Sequence, residues 1–371
     1  MIKSIPPVGH PVVFGKEKIP PSSLFPGYRL VWLNSGTQAL AYSLMYIKRL
    51  KAHIDPPEVI IPGYCCPDLL AAALFAGFKP VVVDINSLDP AYDFEELERA
   101  FNSNTCAIIA INFMGLKEQL AELKALAGSN DVFLIEDNAQ WFPDLNEADQ
   151  LQGDFVTFSF GRGKAISLLG GGLVAIRESL PKADVPKPQF TGNSQFKLKS
   201  KIFDVLTTPF VYSCLEKVPA LKLGATEYHA ISGIEAMPVQ KQRLFSCNYE
   251  AYQKRSRNTE MMLDELFRGI NQLSPLLNSQ RRGRLLRYPV LLKTKDQRNE
   301  LYNQLASKGV GVSSMYQVAL SEISGVSSHG INFPQLPNAN DFAQRFLTFP
   351  VHAGVTEKHI NTIQRAIKKL R

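Results

Sequence analysis

Three short segments carry side chains whose types and spacing suit chemistry. Ser35-Gly36-Thr37 stands at the start of a stretch with helical spacing. A helix N-terminus offers unpaired N–H groups and the positive end of the helix dipole, the glycine lets a ligand approach the backbone, and the threonine adds a hydroxyl. The turn reads as a phosphate seat or as a plain cap. Leu134-Ile135-Glu136-Asp137-Asn138-Ala139-Gln140 ends an apolar run on two carboxylates. An acid there faces the ligand crevice of an open sheet and needs a positive partner, such as a protonated pyridine nitrogen; capping of the next segment by Glu136 or Asp137 is the plainer alternative. The third segment is Phe158-Ser159-Phe160-Gly161-Arg162-Gly163-Lys164, followed by Gly170-Gly171-Gly172. A lysine among small residues suits a buried amine. Burial lowers its pKa and makes it a nucleophile and Schiff-base former, whereas an exposed loop lysine does neither.

These segments sit in an alternating pattern. Tyr28–Leu33, Val59–Ile61, Pro80–Asp84, Cys106–Asn112 and Val132–Glu136 are short apolar runs suited to buried strands. Between them Ala39–Lys51, Leu69–Phe75, Phe94–Phe101 and Leu116–Ala127 have helical spacing. Nearly all-apolar strands alternating with helices predict a parallel sheet covered on both faces, with ligands at the carboxyl ends of its strands. After about residue 178 the alternation stops. Phe196–Leu223 mixes Lys197, Lys199, Lys201, Lys217 and Lys222 with apolar side chains. It reads as a basic amphipathic helix broken at Pro209, able to touch a membrane surface or to pack on its own domain or a second subunit. Ile234–Phe267 reads as one long helix. A strand over Leu285–Leu292, a helix over Arg298–Lys308, a strand over Val310–Ser314, and helices over Asp341–Phe346 and Glu357–Leu370 make a smaller α+β unit. The expected layout is an arm (1–27), a large α/β domain (28–245) with a helical excursion near 190–230, and a small α+β domain (246–371).

Composition narrows the classes. The 371 residues are 45% hydrophobic and 20% charged, which excludes an intrinsically disordered chain. Forty-one Lys plus Arg against 34 Asp plus Glu give +7, mildly basic. No run of five Lys or Arg exists, so no nucleic-acid tail is expected. The densest basic patch, Arg281, Arg282, Arg284 and Arg287, reads as a solvated turn. Five cysteines without paired spacing argue against a disulfide framework, and neither zinc-ligand spacing nor H-E-x-x-H occurs, so no metal is expected. With no apolar run of membrane-spanning length, a reduced cytoplasmic location is expected. The first strand is not followed by G-x-G-x-x-G, which disfavours a dinucleotide enzyme.

Phosphate turn, acid at a strand end and downstream Ser and Lys, in that order, match pyridoxal-phosphate enzymes of the aspartate-aminotransferase-like fold (fold type I). The chain resembles the DegT/StrS-type sugar aminotransferases through Ser35-Gly36-Thr37-Gln38-Ala39-Leu40, Val59-Ile60-Ile61-Pro62-Gly63-Tyr64, Glu136 to Gln140, Gly153-Asp154-Phe155 through Lys164, Gly170-Gly171-Gly172 and Thr348-Phe349-Pro350-Val351-His352. The resemblance implies transfer of an amino group from an amino acid, Glu or Gln, to a keto sugar, usually nucleotide-linked, by a homodimer with shared active sites. It implies that Lys164 holds pyridoxal 5'-phosphate covalently and shuttles a proton, and that Asp137 pairs with the pyridine nitrogen. It further implies that Gln140 contacts the ring oxygen, that Ser35, Gly36, Thr37 and Ser159 form the phosphate seat, and that Asn112 stands near the cofactor, where the family often has a His. Tyr316 and His352 fall in the region of the family's substrate loops.

Three departures stand out. The family's aromatic over the ring aligns with Cys66, so either Cys66 or Tyr64 covers the cofactor. The family's Gly-Tyr-Asn segment, whose Asn reaches the partner subunit's phosphate, is missing; Thr226-Glu227-Tyr228-His229 lies in that region. Arg162 is an added cation able to supply the missing phosphate contact. The alternatives to transamination are a related sugar dehydratase, whose known members carry His in place of the lysine, and a non-catalytic protein binding the cofactor or a lipid-linked sugar at a membrane.

Overall fold

The computed structural model describes residues 4–6, 8, 10–16, 20–144, 151–190, 195–215, 218 and 225–370. Strands β1 (Tyr28–Leu33), β2 (Glu58–Pro62), β3 (Lys79–Val83), β4 (Thr105–Ile111), β5 (Phe133–Asn138), β6 (Phe155–Ser159), β7 (Gly172–Arg177), β8 (Gln189–Phe190) and β9 (Glu235–Ala236) form one sheet in the order β3-β2-β4-β5-β6-β7-β1-β9-β8. The expected parallel block is there: β3, β2, β4, β5 and β6 pair in parallel. Its crossovers carry helices α1 (Gly36–Leu50), α2 (Asp68–Ala76), α3 (Phe94–Ala100) and α4 (Leu120–Ser129). Strand β7 runs antiparallel to both β6 and β1. The segment between β6 and β7 forms no helix that could carry the chain across the sheet, and the chain turns straight back. That return holds Lys164 at the carboxyl end of β6.

A second, two-stranded sheet pairs β10 (Arg287–Leu291) with β11 (Phe346–Pro350). Three expectations fail here. The long helix over Ile234–Phe267 is β9 followed by separate helices Val239–Gln242, Phe245–Gln253 and Asn258–Phe267; Pro238 lacks the N–H to continue a helix, and the chain breaks again at Arg255–Arg257. Val310–Ser314 forms no strand, only a bridge from Ser313 to Thr348. The arginine patch is not a solvated turn. Arg281 pairs with Asp89, Arg282 with Glu260 and Asp264, and Arg284 with Asp144. Arg287 is buried and donates to Thr348 Oγ1 at 2.7 Å.

The two sheets share packing rather than standing apart. One apolar cluster runs from α1 and β2 through Tyr64 and Phe113 to Tyr288, Phe342 and Phe346. Phe245 and Tyr249, one on each side of the expected boundary, both pack at a tilt against Phe142 of the first sheet's layer. The arm is held too: Ile5 N donates to Gly309 O at 3.0 Å, and Val13 N donates to Asn248 Oδ1 at 2.8 Å. Helices α5 (Phe196–Leu206) and α6 (Pro209–Leu215) form the excursion, broken at Pro209 as expected; Lys217 and Lys222 lie outside the described residues. Phe196 and Ser200 of α5 face inward, while Leu198, Ile202, Val205 and Leu206 are exposed. Among the described residues, no helix is long and apolar enough to cross a membrane.

A buried carboxylate fastens the second layer to the first. Asp84, just past β3, accepts from Asn338 N at 2.8 Å and Ala339 N at 2.9 Å, the first turn of helix Pro337–Arg345, and from Ile85 N. Asp84→Ala strands those amides in a buried place. The variant should lose about 1–3 kcal/mol of stability, read as a lowered denaturant midpoint with an unchanged slope.

Candidate functional site

The parallel block directs β2, β4, β5 and β6 so that their carboxyl ends meet the start of α1. A cavity there is lined by Gly36, Thr37, Cys65, Cys66, Asp68, Ile111, Phe113, Asp137, Ala139, Gln140, Ser159, Lys164 and Tyr316, among others. Residues far apart in sequence thus converge on one space.

The phosphate-type turn is tightly built. Ser35 caps α1, its Oγ accepting from Gln38 N at 3.1 Å. Its hydroxyl is therefore spent on the helix, and Gly36 and Thr37 line the cavity instead. Gly36 lies directly against Ser159. A Cβ on it would stand 2.6 Å from Ser159 Cβ and 2.8 Å from Oγ, so only glycine lets the helix start and the serine hydroxyl share one seat. Gly161 N donates to Ser159 Oγ at 3.4 Å, and Lys164 N donates to Gly161 O at 3.3 Å, which turns the lysine back towards the same place.

The two carboxylates of β5 part because successive strand residues point to opposite faces. Glu136 turns away from the cavity. It accepts from Asn112 Nδ2, Asn138 Nδ2, Gln152 N and Gly153 N, a purely structural network. Asn112 is bound into that network and does not line the cavity, contrary to the expectation from the family's His. Asp137 turns in. It accepts from Ala139 N at 2.9 Å and Thr157 Oγ1 at 3.5 Å, so it caps the following turn and lines the cavity as well. Burial pushes its carboxyl up to about 6, while Lys164 opposes the rise and Asp68 adds to it. Gln140 Nε2 donates to Tyr316 Oη at 3.1 Å, and its buried Oε1 has no partner. This half-paired amide, the desolvated Asp137 and the Gly36–Ser159 cradle fit a phosphorylated, cationic aromatic ligand.

Of the two expected ring covers, Cys66 lines the cavity and Tyr64 does not. Tyr64 is fully buried, donates to Tyr316 O at 3.1 Å, and packs edge-on to Phe113, Tyr316 and Phe342. Burial, reinforced by Asp68, pushes the Cys66 thiol up to about 12, so it is a neutral packing group rather than a nucleophile. Tyr316 joins the cavity from the second layer. His352 does not. Its Nδ1 accepts from Gly354 N and its Nε2 faces Pro6 O at 2.8 Å, so it is a neutral imidazole tying down the arm. Arg162 is exposed and lies over the Phe203 ring of α5, outside the cavity; it supplies no contact to the phosphate turn. Thr226–His229 pack on the second layer, with Tyr228 N donating to Ser324 O and the Tyr228 ring against His329. Asp68 was missed by sequence reasoning, although a carboxylate in the first turn after Cys66-Pro67, at a strand exit, was the available signal.

A family model described as the DegT/DnrJ/EryC1/StrS aminotransferase family matches residues 29–368. The chain belongs to this family. A protein of Methanocaldococcus jannaschii is 23% identical over 346 residues, 91% of this chain and 84% of its own. A UDP-N-acetyl-3-dehydro-α-D-glucosamine 3-aminotransferase of Acidithiobacillus ferrooxidans is 31% identical over 149 residues, 39% of each chain. Among solved structures, a putative sugar aminotransferase of Streptococcus pneumoniae in its PMP form superposes with a TM-score of 0.69 at 18% identity, covering 96% of this chain and 94% of that one. Helicobacter pylori PseC, an aminotransferase of pseudoaminic acid biosynthesis, gives 0.69 at 18% identity, covering 94% and 88%. The fold is thus that of the sugar aminotransferases.

The sign of the Asp137 effect can be measured. Its folded pKa of about 6 lies above the ordinary carboxylate value. Stability held below the ordinary value is therefore lost as pH rises through about 6. Cofactor-free Asp137→Asn should gain thermal stability over the parent at about pH 8 and not at about pH 4; calorimetry at both values checks it.

Proposed function

We propose that the chain moves an amino group from an amino acid, Glu or Gln, to a nucleotide-linked keto sugar, acting as a homodimer with pyridoxal 5'-phosphate as cofactor. The observation that carries this reading is the convergence of Gly36, Thr37, Asp137, Gln140, Ser159 and Lys164 on one cavity in a chain of this aminotransferase family.

Each residue has a defined task. The α1 amides at Gly36 and Thr37, with Ser159 Oγ, bind a phosphate at the positive end of a helix dipole. Asp137, buried and short of a cation, holds the proton on a ring nitrogen; a pyridinium there lowers the cost of its charge. Gln140, anchored through Tyr316, orients the ring by its free amide capacity. Lys164 Nζ is the attachment amine. When free, it would serve as the base that removes a proton from the donor carbon and, in the other half of the reaction, as the acid that supplies one to the acceptor carbon. Cys66, Leu69 and Phe113 close the space around these groups and exclude water. Bound pyridoxal phosphate supplies the carbonyl that captures amines and the ring that takes up electrons.

Retention of Lys164 favours transamination over dehydration. Borohydride treatment of the loaded protein should leave a pyridoxyl adduct on Lys164 alone, found by peptide mapping. Lys164→Ala should lower kcat by about a thousandfold or more while the fold persists by circular dichroism. Full turnover in that variant would overturn the reading. Amino donors and nucleotide-linked keto sugars can then be ranked by their discharge of the visible cofactor band.

A further inference from the structure

Helix α5 lies over the return between β6 and β7, and its inward face is unusual. Phe196, Ser200 and Phe203 share that face by helical spacing, with the exposed Lys199 at its edge. Lys241 Nζ, buried, sits over the Phe196 ring at 5.2 Å, and Arg162 sits over the Phe203 ring at 5.7 Å. The exposed Lys199 and Arg162 both act electrostatically on Lys241. Among the described residues none of the three cations has a carboxylate partner; the nearest polar contact of Lys241 is Gly170 O at 3.4 Å. Ser200 is fully buried and its Oγ has no hydrogen-bond partner. Gly170, at φ +127°, makes room: a Cβ there would stand 3.2 Å from Lys241 Nζ. The neighbouring Gly171 bridges to Ser35, so the cluster borders the α1 turn from outside the cavity.

We propose that Arg162, Lys199 and Lys241, with the Ser200 hydroxyl, form a subsite for a phosphoryl anion between α5 and the Gly170–Gly171 turn. Like charges gathered without a counter-ion repel one another, and an anion with several oxygens satisfies all of them together with the orphaned hydroxyl. Burial, Lys199 and Arg162 each lower the Lys241 pKa, and a bound anion offsets all three causes. Two sources offer this chemistry. One is the diphosphate of a sugar nucleotide reaching out of the cavity, which rests on the aminotransferase reading. The other is a lipid headgroup met by the exposed stripe Leu198, Ile202 and Val205.

The test uses cofactor-loaded protein, so that the α1 seat is already filled. Inorganic pyrophosphate and UDP are titrated calorimetrically, and vesicles of phosphatidylcholine with phosphatidylglycerol are co-sedimented, for the parent, Lys241→Gln and the surface variant Lys199→Gln. The expected result is pyrophosphate and UDP binding that weakens about tenfold or more in each variant, with the cofactor band unchanged. The same loss for vesicles, with no binding of the soluble anions, supports the subsite and assigns its phosphoryl group to lipid. Equal binding by parent and variants in every arm overturns the proposal. So does loss of the cofactor band in Lys241→Gln, which would give the cluster to the cofactor's own phosphate. If the parent itself carries no band, the aminotransferase reading fails, and the titrations still report on the cluster.

Discussion

The site depends on one buried carboxylate. Asp137 ends a strand paired on both sides, with its charge removed from water and only an amide and a hydroxyl to share it. A group so placed is costly unless a cation completes it. The rest of the site is arranged around that need. Parallel strands bring the acid to the sheet's carboxyl edge, α1 turns its positive end to the same edge, and the antiparallel return of β7 sets Lys164 opposite.

Much of this was legible in the sequence because it follows from local rules. Strand runs, helix starts and the Gly36 turn depend on spacing and on backbone needs. Lys164, Asp137, Ser159 and Gln140 were singled out by strand exits together with the family resemblance, and all four line the cavity. What failed depended on side-chain direction or on partners distant in sequence. Asn112 stands at a strand exit like the others, yet its amide is claimed by Glu136 and Asn138 on the opposite face. Tyr64 was a candidate because of its ring, but the aromatic cluster of the second layer absorbs it. The arginine patch looked solvated because its acids, Asp89, Asp144, Glu260 and Asp264, are remote in the chain.

The second layer and the arm act on the site by support. Tyr316 reaches the cavity, and its backbone and hydroxyl hold Tyr64 and Gln140 respectively. His352, far from the chemistry, fixes the arm through Pro6. Asp84 ties the helix at Pro337 to the large sheet. With one apolar cluster spanning both layers, the wall that carries Tyr316 is held by the core rather than by a loose linker.

The return from β6 to β7 has a wider meaning. Phe160 N donates to Gly171 O, while Leu168 N and Gly170 N both donate to Phe160 O, so the loop is clipped at its two ends. Gly172 cannot accept a side chain, since a Cβ would fall 2.2 Å from Ser35 O. Chain length is therefore frozen in this stretch. Insertions or deletions there would shift Lys164 away from the cavity it lines. Variation in length, whether by evolution or by loop grafting, is confined to the connections outside it, and substrate range can be remodelled there without disturbing the amine.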